Sequence, residues 1–289
     1  MNIILLMPFW AYLLEVNQKM KKVISGIVAA LLAVAMVAGL FACKKKDDSG
    51  KLGLLTGGKL TIGSEIGYPP FEIFEDDGVT PTGLDIELGR LIAKELGLEA
   101  TFINTGFDGI LGGINAKKYD IVMSALTITP DRQDEVDFST PYIENWQAIV
   151  VLKTSEKVTS PAELAGRKVV YQIGTTSEYY IDDLITAGSL PADLERNAYD
   201  KVINCFDELV NGRADAVVVD SVVADGYVAR EPDKYEISWI QSTDAGAEPE
   251  LFGIAISKDN KALYDAINEV LAKFDKDGTL DKLRSEWLS

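Results

Sequence analysis

The chain of 289 residues is acidic, with a formal net charge of -17, and 47% of its residues are hydrophobic. This composition can build one large or two medium domains with real cores, and it excludes disorder over most of the length. The chain contains no histidine, which excludes Ser-His-Asp and Cys-His catalysis and histidine-ligated zinc. The acidic balance argues against a broad nucleic-acid surface. We expect no cofactor, no metal site and no nucleic-acid partner.

Residues 1 to 42 have the layout of an export signal. From Lys19 a basic start leads into a long stretch of small apolar residues that ends in Leu40-Phe41-Ala42-Cys43. These four residues resemble the lipobox of bacterial lipoproteins, in which the cysteine is lipidated, although Phe41 stands where a smaller residue is usual. A retained transmembrane anchor is the alternative, since residues 23 to 42 are about long enough to cross a bilayer. In both cases the basic residues on the inner side place the body outside the cytoplasm.

Two shorter segments flank this signal. Residues 1 to 19 precede Met20, which fits as the true start, so we interpret them as a start-site artefact, with an extra membrane segment as the alternative. Residues 43 to 58 are polar and glycine-rich and predict a flexible tether. The two cysteines have different contexts, so no intrachain disulfide is expected, and Cys205 is predicted to be a small buried hydrophobe.

From residue 59 onward, short β-rich runs alternate with helical patterns, which predicts an α/β fold with largely parallel sheets. Two apolar stripes with helical spacing end at Gly97 and at Gly212, and we interpret both as core. The predicted strands are Leu60 to Ser64, Thr101 to Asn104, Tyr119 to Ser124, Ala148 to Leu152, Lys168 to Gln172, Ala214 to Val219 and Phe252 to Ser257.

Small polar residues follow several of these strands, at 65 to 68, 124 to 127, 174 to 176 and 220. In open α/β sheets, ligands bind beyond the carboxyl ends of the strands, often at helix N-termini. Capping of loops would explain one such cluster, but four in the same position favour a common pocket.

Arg132 is the sole cation between Lys118 and Lys153, in a segment rich in acids. Thr129-Pro130 predicts an N-cap and the first residue of a helix, where an arginine does not suit the positive helix end. A surface ion pair with Asp134, Glu135 or Asp137 is one interpretation. The other is an anion site, because a planar guanidinium can clamp a carboxylate.

Six segments together resemble the polar amino-acid solute-binding proteins of ABC importers (bacterial extracellular solute-binding proteins, family 3). The resemblance covers residue 59 to the C-terminus, in order. The segments are IGSEIGYPPFE (62 to 72), GLDIELGRLIAKELG (83 to 97), FDGIL (107 to 111), YDIVMSALTITPDRQDEVDFSTPY (119 to 142), IGTTSE (173 to 178) and DGTLDKLRSEW (277 to 287).

The resemblance implies a two-lobed periplasmic-binding-protein fold of type II, with mixed sheets flanked by helices and two hinge strands. An amino acid would be held in the cleft while the lobes close over it. The implied first lobe comprises residues 59 to 146 plus 252 to 289, and the second comprises 147 to 251. The crossings would fall near residues 145 to 148 and 249 to 252.

The resemblance also implies the roles of the site residues. Arg132 would grip the ligand's α-carboxylate, helped by the backbone amides of Thr127 and Thr176, and Asp220 would receive the α-ammonium. Tyr68 would lie along the side chain, and Glu65 near its end, which suggests a cationic or amide side chain. The implied ligand-binding set is Glu65, Tyr68, Leu84, Ser124, Ala125, Thr127, Arg132, Gln172, Thr175, Thr176 and Asp220.

Two positions depart from the family's pattern and put side-chain specificity in doubt. Leu84 stands where relatives often have an aromatic residue, which would weaken stacking on one face of the ligand. Ala125 stands where some relatives have a serine, which removes a hydroxyl contact.

The sequence therefore predicts a non-enzymatic receptor that hands an amino acid to a membrane permease. It would be monomeric, extracytoplasmic and anchored by lipid on Cys43. An enzyme on the same scaffold, similar to cyclohexadienyl dehydratase, is one alternative, with Asp220 or Glu65 as general acid. The sensor half of a signalling receptor is another, disfavoured here because the sequence ends directly after a predicted helix without a second hydrophobic span.

Overall fold

The computed structural model describes residues 51 to 242 and 246 to 288. The predicted export segment, Cys43 and the first part of the tether lie outside these residues. Within them, the chain forms two five-stranded mixed sheets with helices packed on them, and two short two-stranded sheets. None of the helices in these ranges is both long and apolar enough to cross a membrane.

The strands and helices are numbered in chain order. The strands are β1 (Lys59–Ser64), β2 (Ile73–Phe74), β3 (Pro81–Thr82), β4 (Glu99–Asn104), β5 (Ile121–Val122), β6 (Asp137–Phe138), β7 (Ile143–Asn145), β8 (Gln147–Leu152), β9 (Val169–Gln172), β10 (Arg196–Tyr199), β11 (Ala216–Asp220), β12 (Tyr235–Ile240), β13 (Glu250–Phe252) and β14 (Ala255–Ile256). The helices are α1 (Leu84–Leu96), α2 (Ile110–Asn115), α3 (Pro130–Glu135), α4 (Thr176–Thr186), α5 (Val202–Val210), α6 (Ser221–Arg230), α7 (Lys261–Lys276) and α8 (Thr279–Trp287), with a 3-10 turn at Pro161–Leu164.

The first sheet has the strand order β4-β1-β5-β14-β6. Strand β1 is parallel to β4 and β5, whereas β14 is antiparallel to β5 and β6. The apolar stripe of α1 packs on this sheet through buried residues such as Leu88 and Ile92, and the helix ends at Gly97 in the left-handed conformation that glycine adopts without strain. The predicted helix and its stop are confirmed.

The second sheet has the strand order β10-β9-β11-β8-β12. Strand β9 is parallel to β10 and β11, and β8 runs antiparallel to β11 and β12. Helix α5 buries its apolar face here, including Cys205, which is a fully buried free thiol as predicted. Because β9 and β11 are parallel, their carboxyl ends meet at one edge of the sheet.

Strands β7 and β13 pair antiparallel to each other and lie where the chain passes between the two sheets. Asn145 stands opposite Glu250 in this ladder, and Phe252 stands opposite Ile143. The sheets on either side are built from residues 59 to 138 with 255 to 256, and from residues 147 to 240. The exact lobe boundaries remain a prediction.

Some local predictions differ from the structure. The predicted strand from Phe252 to Ser257 is two strands, because the backbone around Phe252 leaves the first sheet to bond with residues 126 to 128. Strands β10 and β12 were not predicted. The C-terminal end of the predicted tether is held to the body, since the Leu55 amide donates to Asp120 over 2.7 Å and Asn260 donates to the Leu52 carbonyl over 2.9 Å.

Candidate functional site

A narrow cleft lies between the two sheets and encloses a cavity of only about 10 Å³. Its lining residues come from the carboxyl ends of strands β1, β4, β5, β9 and β11 and from the start of α3 and α4. The structure thus brings the predicted polar clusters together. The lining residues are Tyr68, Phe107, Ala125, Thr127, Arg132, Gln172, Thr175, Thr176 and Asp220.

Arg132 is held in the first turn of α3, where Thr129 is the N-cap, as predicted, and accepts from the Arg132 amide. Its side chain is only 7% exposed. The guanidinium donates to the carbonyl of Thr127 over 2.7 Å and to that of Gly174 over 3.0 Å, and lies 5.5 Å from the Phe107 ring. The surface ion-pair interpretation is wrong, because the buried guanidinium is bound to carbonyl oxygens and faces the cleft.

Asp220 ends β11 on the opposite side of the cleft and is also buried. Its carboxylate accepts from the Tyr68 hydroxyl over 2.6 Å, from Asn145 over 2.6 Å and from Gln147 over 3.1 Å. Burial, and after it the negative charge of Glu250, raises the pKa of Asp220 to about 7. A positive group placed beside this carboxylate would favour its ionised form.

Arg132 and Asp220 therefore present opposite buried charges from the two sides of one cleft. Arg132 donates to carbonyls, and Asp220 accepts from a hydroxyl and two amides. Burial lowers the pKa of Arg132, but a guanidinium stays charged at neutral pH. Each charge is thus solvated by neutral groups, an arrangement that can be completed by a molecule carrying an anion at one end and a cation at the other.

Two threonine hydroxyls lie beside this pair of charges. The hydroxyl oxygens of Thr127 and Thr176 are 3.4 Å apart across the cleft. Thr176 is the first residue of α4, and its neighbour Thr175 fixes the loop before the helix by donating its hydroxyl to the Gln172 carbonyl over 2.7 Å. A hydroxyl and a helix N-terminus are groups that bind anionic oxygens.

Glu250, from the crossing strand β13, reaches into the same region and was missed by sequence reasoning. Its carboxylate accepts from the Thr176 hydroxyl over 2.8 Å and from Gln147 over 2.9 Å. Asn145 and Gln147, which bind Asp220, were missed as well. The signal was present, because all three polar residues lie in the segments predicted as crossings.

Glu65 follows β1 and lies away from Arg132 and Asp220. It is 1% exposed and accepts from Gln172 over 3.2 Å, while the ammonium of Lys201 is 3.7 Å from its other oxygen. Burial raises the pKa of Glu65. One oxygen of Glu65 and the amide oxygen of Gln172 have no hydrogen-bond donor among the described residues. This end of the site therefore offers acceptors.

Ser124 and Ala125 form a turn beside Glu65, and Ala125 lines the cleft. Ser124 accepts from the Glu65 amide and donates to Glu72, both over 3.0 Å, while the Ala125 amide donates to Asp85 over 2.7 Å. Ala125 has a φ of 45°, in the left-handed region that alanine rarely adopts. The turn is thus held by two buried carboxyl groups behind it.

Glu72 and Asp85 are fully buried neighbours whose charges influence each other. Burial, and then the charge of Asp85, raises the pKa of Glu72 well above its usual range, whereas burial raises that of Asp85 to about 6. Both shifts favour the protonated form, so the pair can hold a proton that exposed carboxyl groups would lose. This explains how two carboxyl groups can sit side by side without solvent.

Leu84 does not line the cleft, although it belongs to the same buried cluster as Tyr68 and Ala125. It is the first residue of α1 and is buried in the core, with 2% of its surface exposed. The aromatic surface in the lining, besides Tyr68, comes from Phe107. Phe107 begins the FDGIL segment, and a single sequence gives no reason to choose this ring over any other aromatic residue.

The geometry can be set beside known proteins. The family model for bacterial extracellular solute-binding proteins, family 3, matches residues 60 to 289. The chain belongs to this family. The resemblance found in the sequence is confirmed, and members of the family are extracellular or periplasmic solute-binding proteins.

Individual proteins agree with this assignment. ABC transporter arginine-binding protein 1 of Escherichia coli (strain K12) is 33% identical over 79% of this chain and 90% of that protein. L-cystine-binding protein TcyJ of the same organism is 33% identical over 89% of this chain and 92% of that protein. A solved ancestral arginine-binding protein bound to glutamine has a TM-score of 0.73 and 37% identity, covering 80% of this chain and 98% of that one.

These comparisons also bear on the fold and on catalysis. The two-lobed type II periplasmic-binding-protein fold is confirmed for this solute-binding protein. The curated relatives above are both named as binding proteins. One similar structure is an ancestral amino acid-binding protein described as a precursor of cyclohexadienyl dehydratase, with a TM-score of 0.71 and 36% identity.

Proposed function

We propose that this protein is the extracytoplasmic receptor of an ABC importer and captures a free L-amino acid between its two lobes. The observation that carries the proposal is the pair of buried, opposite charges on Arg132 and Asp220, which face one cleft from opposite sides. An amino acid's head group carries the complementary charges. The relatives named above are an arginine-binding and an L-cystine-binding protein, and the similar arginine-binding structure holds glutamine, which supports an amino acid as the ligand class.

In the proposed complex, Arg132 holds the α-carboxylate with two parallel hydrogen bonds, with the amides of Thr127 and Thr176 as further donors. Asp220 accepts from the α-ammonium, which lowers the pKa of Asp220 from its raised value. Because the two partners stand on different lobes, the ligand joins the lobes and stabilises the closed form.

The side chain then extends past Tyr68 and Phe107 toward Glu65 and Gln172. Both of these residues have an acceptor oxygen without a donor among the described residues. A side chain ending in N–H groups, cationic or amide, supplies such donors. The proposed ligand class is therefore an L-amino acid with a cationic or amide side chain.

We propose that binding leaves the ligand chemically unchanged. A dehydratase needs a general acid positioned at a leaving group, whereas Asp220 is engaged by Tyr68, Asn145 and Gln147 where an α-ammonium would dock. After incubation with each bound amino acid, mass spectrometry should recover the ligand intact. A product of altered mass, formed only with the native protein, would establish the enzymatic alternative.

Calorimetry and thermal shift across the twenty amino acids test the proposed function. We expect saturable binding with one site per chain for a small subset with cationic or amide side chains. No binding to any of the twenty, by a folded protein, would reject the proposal.

We further propose that the protein is exported and anchored by a lipid on Cys43, and that it acts as a monomer. The support is the signal layout of residues 19 to 43 together with the location of the family's members. Mass spectrometry of the mature N-terminus should find a diacylglyceryl-modified Cys43. An unmodified N-terminus upstream of this residue would contradict the anchor.

A further inference from the structure

Lys201 approaches the buried Glu65 from the opposite lobe, and nothing in its own helix explains its position. It is the N-cap of α5, yet its side chain makes no capping hydrogen bond and the first turn of the helix contains no acidic residue. A cation at the positive end of a helix is unfavourable. The contact that compensates is the ion pair with Glu65, at 3.7 Å.

The two partners of this ion pair differ in freedom. Glu65 is 1% exposed and fixed by Gln172, which is itself tied to the Asp200 carbonyl over 3.0 Å, whereas 48% of the Lys201 side chain is exposed. Gly67 keeps the space beside this pair open, since a Cβ there would lie 3.2 Å from a Glu65 oxygen and 4.0 Å from the Lys201 nitrogen. Lys201 can therefore exchange Glu65 for another anionic or carbonyl oxygen.

We propose that Glu65 and Lys201 together form an amphoteric subsite that selects a side chain whose end is net neutral and presents an N–H donor beside an acceptor oxygen. The donor would bind Glu65 and Gln172, and the oxygen would bind Lys201. This proposal rests on the proposed function and narrows its ligand class. A terminal carboxamide has this chemistry, and so does a second amino-acid head group.

A side chain that carries only a cation satisfies half of this subsite. Its positive charge would pair with Glu65 but would also face the Lys201 ammonium, and the two like charges would repel each other. Lys201 would then have to turn away to solvent. Among ligands with similar N–H donors, the subsite thus favours a net-neutral end over a cationic one, because Lys201 repels a second cation.

The test is calorimetry with L-glutamine, L-cystine and L-arginine on the native protein and on Lys201→Met. We expect the native protein to bind glutamine, cystine or both more tightly than arginine. If glutamine binds more tightly than cystine, the subsite favours a carboxamide, and if cystine binds more tightly, it favours a second amino-acid head group. Lys201→Met should weaken binding of that ligand about tenfold or more, through loss of a charge-assisted hydrogen bond, and strengthen binding of arginine. Lys168→Met removes an equal charge from a surface ion pair with Glu195 and should change neither affinity.

The outcomes separate this inference from the proposed function. Tighter binding of arginine than of both net-neutral ligands by the native protein, or an unchanged ratio of affinities in Lys201→Met, would overturn the amphoteric subsite while leaving an amino-acid receptor in place. A folded native protein that binds none of the three, nor any other amino acid, would overturn both.

Discussion

Arg132 is a buried cation whose hydrogen bonds go to carbonyl oxygens, and it can gain a carboxylate partner without losing its fixed position. Replacing it by alanine should weaken amino-acid binding about 100-fold or more, because the ligand's α-carboxylate would be buried without its cation. Calorimetry measures the loss, and an unchanged far-UV spectrum shows that the fold survives. Arg132→Lys keeps the charge but not the planar fork, so we expect intermediate affinity. Native affinity in Arg132→Ala would refute the clamp.

Asp220 should make binding depend on pH. Its pKa is raised to about 7 in the free protein, and the ligand's ammonium favours the ionised form, so binding releases a proton below that pH. Affinity should therefore rise as pH increases toward about 7, by up to about tenfold per pH unit, and level off above it. Because the pKa of Asp220 is higher in the folded protein than in the unfolded chain, the folded unliganded protein binds more protons between about pH 4 and 7. Asp220 therefore lowers the protein's free energy of unfolding as the pH rises through this range.

Glu250 provides the control for this titration. Its charge contributes to the raised pKa of Asp220, so Glu250→Gln should move the pH profile of binding to lower pH without flattening it. Calorimetry from pH 5 to 8 on the native protein and this variant would show the shift. A profile that is flat over this range in the native protein would contradict the assignment of Asp220 to the ammonium.

At the scale of elements, the turn after β5 depends on the carboxyl pair behind it. Asp85, in the first turn of α1, accepts from the Ala125 amide and from the Tyr142 hydroxyl, so one side chain ties α1, the turn and β7 together. Asp85→Ala should leave two buried donors without partners and lower the free energy of unfolding by about 2 to 5 kcal/mol. Chemical denaturation measures the change.

Asp85→Asn is the matched control, because its amide oxygen can still accept both bonds while its NH2 group donates to Glu72. We expect a clearly smaller loss of stability than for alanine. Equal losses in the two variants would mean that charge, not the hydrogen bonds to the turn, is what Asp85 contributes.

Sequence patterns predicted the elements whose signals are local. The stripe of α1 with its terminal Gly97, and the Thr129-Pro130 start of α3, depend on neighbouring residues and could be read directly. Strand β12 could not, since it exists because it pairs with β8 from over 80 residues away. The same holds for the break between β13 and β14, which depends on the bridge from Phe252 to Thr127.

The site shows the same division. Arg132 stood out because its charge contrasted with its surroundings, and Glu250 could have been found from its place in a predicted crossing. Phe107 and Lys201 have ordinary sequence contexts and become notable only when the fold brings them beside other site residues. Leu84 is buried in a core cluster that also contains Tyr68 and Ala125, and its contact with the ligand stays a prediction.

At the scale of the whole molecule, the proposed binding mode requires the two lobes to move when the ligand binds. In this structure, bonds between Tyr68 and Asp220 and between Arg132 and the Gly174 carbonyl cross the cleft, and an opening of the lobes would break them. Solution scattering should show a smaller radius of gyration when the bound amino acid is added to the native protein, and no change in Arg132→Ala. An equal decrease in the radius of gyration of the native protein and of Arg132→Ala would show that closure does not depend on the contact between Arg132 and the ligand.

The most direct measurement is a crystal structure of the protein with the amino acid that binds best in calorimetry. We expect the ligand's α-carboxylate to lie within hydrogen-bond distance of both terminal nitrogens of Arg132. Its α-ammonium should lie within hydrogen-bond distance of Asp220. A bound amino acid that contacts neither side chain would contradict the proposed binding of the head group by Arg132 and Asp220.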